Sequence, residues 1–289
     1  MVPPIGAEQV LVVKRGGLEE FIQAMTAMAA IREANPLARI TLLTSPPLEG
    51  LAKASPYFDA VETDVGGFMA LAGRLRSSGF KRAFDLDGGG RSGQVRAALW
   101  PGPAWQRPPA PDPSEAGPPD LSWILKKTSL DRPSAGGQRK PYVLLIPGGG
   151  GRREQDRWPA ERFGEFGKIM YERGFDIVVG GQPKDAALAR EIQRRVSAAR
   201  DLTGAGDHAR TAALCARAAL VVGGAAEAMH LAAAVGAPTI VILPRSVDPE
   251  KAAPRGHVTI IQGEPLADLP PTSVAQAANS LTELPSRGA

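Results

Sequence analysis

The sequence predicts an α/β protein made of two halves, each a parallel sheet flanked by helices. Three observations carry that expectation. At 289 residues the chain suits one large or two medium domains. Short apolar runs alternate along it with segments of helical period, the pattern of βαβ units on a parallel sheet. Between two such series, Pro101 to Pro119 holds 8 prolines in 19 residues, a density that no helix or sheet interior accommodates.

The first series opens with Val10-Leu-Val-Val13, a strand that ends in the turn Lys14-Arg-Gly-Gly17. Leu18, Phe21, Ile22, Met25, Met28 and Ala29 then recur at helical spacing, predicting one helix over Leu18 to Ala34. Asn35-Pro36 closes it, and Arg39 to Thr44 reads as the second strand. A helix over Leu48 to Ala54, a short strand over Ala60 to Glu62 and a helix over Phe68 to Ser78 follow. Ala83-Phe-Asp-Leu-Asp87 is the next strand. The proline tract reads as an extended loop, followed by a helical stretch near Leu121 to Lys127. Pro133 to Gln138 has the composition of an interdomain linker.

The second series begins with the strand Tyr142 to Ile146 and the Gly-rich turn Gly148 to Gly151. Helices are expected over Pro159 to Arg173, Lys184 to Ala199, Thr211 to Ala218, Glu227 to Val235 and Ser273 to Leu281. Strands are expected over Asp176 to Val179, Ala219 to Val222, Thr239 to Leu243 and Val258 to Gln262. The expected domains are therefore 1–133 and 140–272, with 273–289 a terminal helix and tail.

Composition excludes several classes. A single cysteine rules out an intramolecular disulfide and any Cys-based zinc cluster, and fits a reducing, cytosolic compartment. The longest apolar stretch, Leu231 to Leu243, is too short for a membrane span and is interrupted by Gly236 and Pro238. The formal charge of +4 suits phosphates or an anionic membrane surface better than duplex DNA. With aromatics at 5% and no nucleic-acid-binding motif, no nucleic acid partner is expected.

Several motifs bear on chemistry. Gly88-Gly-Gly-Arg-Ser-Gly93 satisfies G-x-G-x-x-G after a strand. The acid that would hold a ribose lies in the proline tract, so a plain turn is preferred. Asp85 and Asp87 share one strand face and could hold Mg²⁺ or Mn²⁺, although aspartates before glycines commonly form turns. Gly148-Gly-Gly-Gly151, followed by Arg152, Arg153 and Arg157, lacks the ending of a Walker loop. It fits either a phosphate-bearing ligand or an Arg-lined turn. Val222 to Leu231 reads as strand, small-residue turn and helix start, a geometry that favours anions. Gly16 and Gly17 sit at the first strand-to-helix junction, where α/β proteins place ligands. The helix macrodipole alone accounts for Glu19 and Glu20 there. Cys215 reads as an inert core residue.

In order and spacing these pieces resemble glycosyltransferase family 9, the heptosyltransferases that build the lipopolysaccharide core. Val10 to Phe21 is similar to the family's first strand, Arg-x-Gly-x-x-Gly-Asp turn and first helix. Ala38 to Thr44, Ser55-Pro-Tyr57 and Gly79 to Leu86 continue the likeness. In the second half Tyr142 to Gly148, Arg157-Trp-Pro-Ala-Glu-Arg-Phe163, Asp201-Leu-Thr-Gly204 and Met229 to Thr239 match.

The resemblance implies a GT-B fold, two Rossmann-like domains with parallel sheets facing a central cleft. It also implies a cytoplasmic, metal-independent, inverting transferase that uses no cofactor. The sugar, heptose-like, would pass from a nucleotide-sugar, with an ADP-sugar favoured, to a lipopolysaccharide-core, glycolipid or other glycan acceptor. Peripheral contact with the inner membrane surface is a further expectation. By the same resemblance, Glu20 is the candidate base. Gly148, Gly149, Arg153, Arg157, Gly181, Glu227, Met229 and His230 would line the donor site, and Gly16, Gly17 and Arg91 the acceptor site. The chain departs from the family at three places. Glu19-Glu20 replaces Gly-Asp, Asp156 replaces a lysine, and Gly224-Ala-Ala-Glu-Ala228 replaces Asn-Asp-Ser/Thr-Gly-Pro. These departures suit either an enzyme with an altered donor or a catalytically inactive binding or scaffold protein of the same fold, and the Asp85 and Asp87 pair gives a third reading, a metal-dependent sugar transferase.

Overall fold

Val10, Leu11, Val12 and Val13 are fully buried, as an apolar run without alternation requires in a parallel sheet covered on both faces. The computed structural model describes residues 4–65, 67–107, 121–127, 140–149 and 156–282. The chain divides into two units, Met1–Trp123 and Ile124–Ala289. The expected linker 133–138 lies outside the described residues.

The first unit runs β1 (Gln9–Val13), α1 (Leu18–Gln23), α2 (Met25–Ala34), β2 (Arg39–Thr44), α3 (Glu49–Ala54), β3 (Ala60–Thr63), α4 (Phe68–Ser77), β4 (Arg82–Asp85), α5 (Gly90–Ala98) and β5 (Ala104–Gln106). Its strands lie in the order β3-β2-β1-β4-β5, all parallel, with Val13 level with Leu43 and with Asp85. The order reverses between β1 and β4. Such a reversal is where open α/β sheets bind ligands, beyond the carboxyl ends of the strands.

The second unit runs α6 (Ile124–Lys127), β6 (Tyr142–Ile146), α7 (Ala160–Glu172), β7 (Asp176–Val179), α8 (Ala186–Arg195), β8 (Arg200–Asp201), α9 (His208–Arg217), β9 (Leu220–Gly223), α10 (Glu227–Ala234), β10 (Thr239–Pro244), α11 (Pro249–Ala252), β11 (Val258–Gly263) and α12 (Pro271–Asn279). Its order is β11-β10-β9-β6-β7-β8, again parallel throughout. Numbered from its own first strand this is 3-2-1-4-5-6, the doubly-wound nucleotide-binding order. The reversal here lies between β6 and β9.

The core of the second unit explains two of its motifs. Trp158 is buried and meets Phe163 edge-on at 4.7 Å between ring centroids. Its indole N–H donates to the Leu269 carbonyl at 3.1 Å, so the Arg157-Trp-Pro segment is anchored from inside. Helix α12 belongs to the same core through Val274, Ala275 and Ala278. Arg173 fastens it by donating to the Ala275 carbonyl at 3.0 Å and to Asn279 Oδ1 at 2.8 Å.

Some expectations need correction. The helix expected over Leu18 to Ala34 is two, divided at Ala24, which keeps helical dihedrals of φ −78° and ψ −7°. Apolar period reports the buried face, and that face continues through the distortion. The turn expected over Gly88 to Gly93 gives way to α5. Among the described side chains only Ser92, Val95 and the C-cap Leu99 are buried there, too sparse an apolar pattern to reveal a helix in advance. The proline tract contains β5, a parallel partner of β4. Pro103 precedes this sheet-edge strand, where proline is tolerated. The short elements β8 and α11 had no apolar period to announce them. The rest of the tract, from Pro108 to Pro119, is outside the described residues.

Candidate functional site

In the first unit the site forms where the chain leaves β1. The carboxylate of Asp87, just past β4, accepts the Arg15 backbone N–H at 2.9 Å through Oδ1 and 2.8 Å through Oδ2. It also takes the Lys14 ammonium at 3.1 Å. Lys14 is only 7% exposed, so this ion pair satisfies a cation that would otherwise be costly to bury. Arg15 pairs with Asp64, and the Ser45 hydroxyl donates to the Arg15 carbonyl.

Asp85 Oδ1 accepts the backbone N–H groups of Asp87 and Gly88 at 3.0 and 3.1 Å. Both aspartates are thus committed to shaping the turn. Among the described residues no group of three or more His, Cys, Asp or Glu is placed to hold a metal.

Glu20, at the third position of α1, turns its carboxylate back to accept the Gly17 N–H. This is one half of a capping box, since Gly17 has no side chain to return the bond. A Cβ on Gly16 would lie 2.7 Å from Glu20 Oε2 and 3.3 Å from Lys14 Nζ. A side chain at this position would therefore displace the carboxylate from the turn. Glu20 is exposed to solvent, as a group that meets a ligand must be.

The second unit builds its site from glycine turns at the carboxyl ends of β6, β7 and β9. Gly149 has φ +88°, and a Cβ there would overlap Ala226. The β6 turn thus packs directly on the residue that precedes α10, at the strand-order reversal. A Cβ on Gly148 would overlap the Asp185 carboxylate, and one on Gly181, at φ +149°, would lie 2.8 Å from Asp185 Oδ2. Asp185 is 7% exposed and accepts the Gln182 N–H at 2.8 Å.

The Asp201-Leu-Thr-Gly204 segment is a turn in which Asp201 Oδ1 accepts the N–H and hydroxyl of Thr203 at 2.8 and 2.7 Å. Gly204 N–H donates to the Gly181 carbonyl at 2.9 Å, which ties that turn to the β7 glycines.

The sequence-derived donor residues separate on inspection. Gly148 and Gly181 come together through Asp185, and Gly149 packs on Ala226. Glu227 opens α10 and is exposed, whereas His230 is half-buried one turn further on. Met229 is buried in the core at 1% exposure. A Cβ on Gly223 would lie 2.7 Å from its sulfur. Its side chain supports the turn from below and does not line a ligand surface. Arg157 is exposed. Arg153 and the Arg91 side chain lie outside the described residues.

Sequence reasoning missed Asp185 and His208. The spacing Gln182 to Asp185, at a helix start after two glycines, was the signal for the first. His208 opens α9; burial lowers its pKa, while the charges of Glu227 and Asp207 act to raise it. Burial pushes the Cys215 thiol up to about 12, so the single cysteine is not a nucleophile. A surface cavity of about 340 Å³ lined by Leu75, Phe80, Trp100 and Pro103 lies at the amino-terminal ends of β4 and β5 in the first unit, the ends opposite its Asp87 turn.

The family model for glycosyltransferase family 9 (heptosyltransferase) matches residues 113–273, more than half of the chain. The protein belongs to this family. It is a glycosyltransferase, and its fold is the GT-B class of the heptosyltransferases. The E. coli ADP-heptose LPS heptosyltransferase II superposes with a TM-score of 0.74 at 18% identity, over 94% of this chain and 98% of that one. E. coli heptosyltransferase WaaC with ADP gives 0.75 at 15% identity, over 95% and 100%. A family 9 glycosyltransferase from Veillonella parvula gives 0.71 at 16%, over 95% and 97%. At these identities the likeness is one of fold. No curated protein sequence matches the chain. Among the described residues no helix is long and apolar enough to cross a membrane.

Proposed function

We propose that this family 9 glycosyltransferase is an inverting, metal-independent enzyme. It transfers a heptose-like sugar from an ADP-sugar to a lipopolysaccharide-core or related glycan acceptor, in the cytoplasm and in peripheral contact with the inner membrane. The observation that carries the reading is the glycine floor at the strand-order reversal of the second unit. Gly148 and Gly149 follow β6 at that reversal, with Gly149 packed on Ala226 just ahead of α10, so main chain and not a side chain stands where doubly-wound sheets bind their ligands. Gly16 and Gly17 serve the acceptor in the first unit.

In the reaction the Glu20 carboxylate accepts the proton of the acceptor hydroxyl. The oxygen forms its bond to the anomeric carbon from the face opposite the diphosphate. The bond from that carbon to the diphosphate breaks, and ADP departs with the electron pair. A single displacement of this kind inverts the centre. Base assistance supplies about 10²–10⁴-fold, and donors aimed at the departing diphosphate stabilise its developing charge. Glu227 stands at the start of α10, so the Gly148 and Gly149 turn, rather than that helix, is assigned the diphosphate.

Titration calorimetry with ADP-heptose tests the donor assignment. The expected result is saturable binding with a single site. A folded sample that gives no heat with ADP-heptose contradicts the donor assignment and favours a binding protein without a nucleotide-sugar site.

A further inference from the structure

Lys14 presents a problem that the turn must solve. Its ammonium is buried and lies beside Gly16, as the Glu20 carboxylate does. A Cβ at Gly16 would contact both groups, at 3.3 and 2.7 Å. Left to itself, an ammonium so placed would pair with the nearest free carboxylate. Glu20 offers one, since Oε2 takes the Gly17 N–H while among the described residues Oε1 accepts no hydrogen bond. A direct Lys14–Glu20 pair would occupy the oxygen needed to receive a proton.

We infer that Asp87 is a positioning residue that keeps Lys14 off Glu20 and so leaves the base open to the acceptor hydroxyl. The inference rests on the reading of Glu20 as the base. Three contacts support it. Asp87 Oδ1 holds Lys14 Nζ at 3.1 Å, in a pair whose side chains are only 8% and 12% exposed. Both Asp87 oxygens hold the Arg15 N–H, fixing the backbone that leads into Gly16. Asp85 in turn holds the Asp87 N–H at 3.0 Å, so the carboxylate approaches from a rigid strand end. The pair spans β1 and β4, the two strands between which the sheet order reverses.

The test is a double-mutant cycle read in kcat and KM, with ADP-heptose and heptose-deficient lipopolysaccharide. Asp87→Asn keeps an acceptor for the Arg15 N–H but gives up the charge that holds Lys14. It should lower kcat about 10²-fold, the scale of a misplaced catalytic group, with KM little changed. Asp87→Glu should keep most of the wild-type kcat. In Asp87→Asn/Lys14→Met the released ammonium is gone, and kcat should recover above that of Asp87→Asn.

A role confined to stability predicts the reverse, with the second substitution adding damage. Wild-type kcat in Asp87→Asn, or a double variant no faster than the single one, overturns the inference. A crystal structure of Asp87→Asn provides an arm that does not depend on turnover. Lys14 Nζ should be found on the Glu20 carboxylate, and Nζ remaining away from Glu20 overturns the inference. Absence of turnover in the wild-type protein would instead reject the functional reading, and the crystal structure then decides the Lys14 question by itself.

Discussion

Asp87 and Asp185 share a logic at the residue scale. Each is a carboxylate held under a glycine turn, Asp87 by Lys14 and Arg15 and Asp185 by Gln182. Neither role is visible in residue type, because aspartate beside glycine, as at Asp87, or at a helix start, as at Asp185, is an ordinary local signature. What distinguishes them is their position at the carboxyl ends of parallel strands, which depends on strand order and therefore on contacts far apart in sequence. His208 adds a pH-dependent feature. Burial lowers its pKa in the folded state, so between that value and the ordinary histidine value of about 6.5 the unfolded chain binds more protons. Stability is therefore fully present above the unfolded value and declines as pH falls through it toward the folded one. Urea midpoints measured from pH 8 to pH 5 should decline in the wild type and decline less in His208→Gln. Identical slopes in the two proteins would remove His208 from that role.

Legibility in the sequence followed burial at the scale of elements. Strands such as Tyr142–Ile146, Asp176–Val179 and Arg39–Thr44 fall where continuous apolar runs place them, because a strand covered on both faces has no other composition open to it. Elements that bury little, α5, β5, β8 and α11, lacked that signal. The resemblance motifs divide in a related way. Trp158 and Met229 turn out to hold the scaffold, and Gly148, Gly149 and Gly181 to shape a surface. The second group is the more fragile. Gly149→Ala combines φ +88° with overlap on Ala226, so a loss of about 1–3 kcal/mol in urea unfolding is expected, together with weaker ADP binding in calorimetry. Unchanged stability and affinity would show that the turn tolerates a side chain.

At the scale of the molecule the two units carry different charge. Through Trp123 there are 12 Lys and Arg against 13 Asp and Glu, and from Ile124 onward 22 against 17. The basic excess belongs to the unit assigned the anionic donor, so it supports a phosphate-bearing ligand more directly than it supports attraction of the acceptor unit to anionic lipid. The same division applies to the departures from the family motifs. Asp156 and Glu227 both fall in the unit proposed to take the donor, whereas the unit proposed to take the acceptor carries a carboxylate at the third position of its first helix. The chemistry therefore stands or falls with Glu20. The most direct measurement is the rate of ADP release from ADP-heptose in the presence of heptose-deficient lipopolysaccharide, for the wild type and for Glu20→Gln. The account predicts a fall of about 10²–10⁴-fold in kcat, with ADP-heptose binding retained. Turnover by Glu20→Gln at the wild-type rate would contradict it.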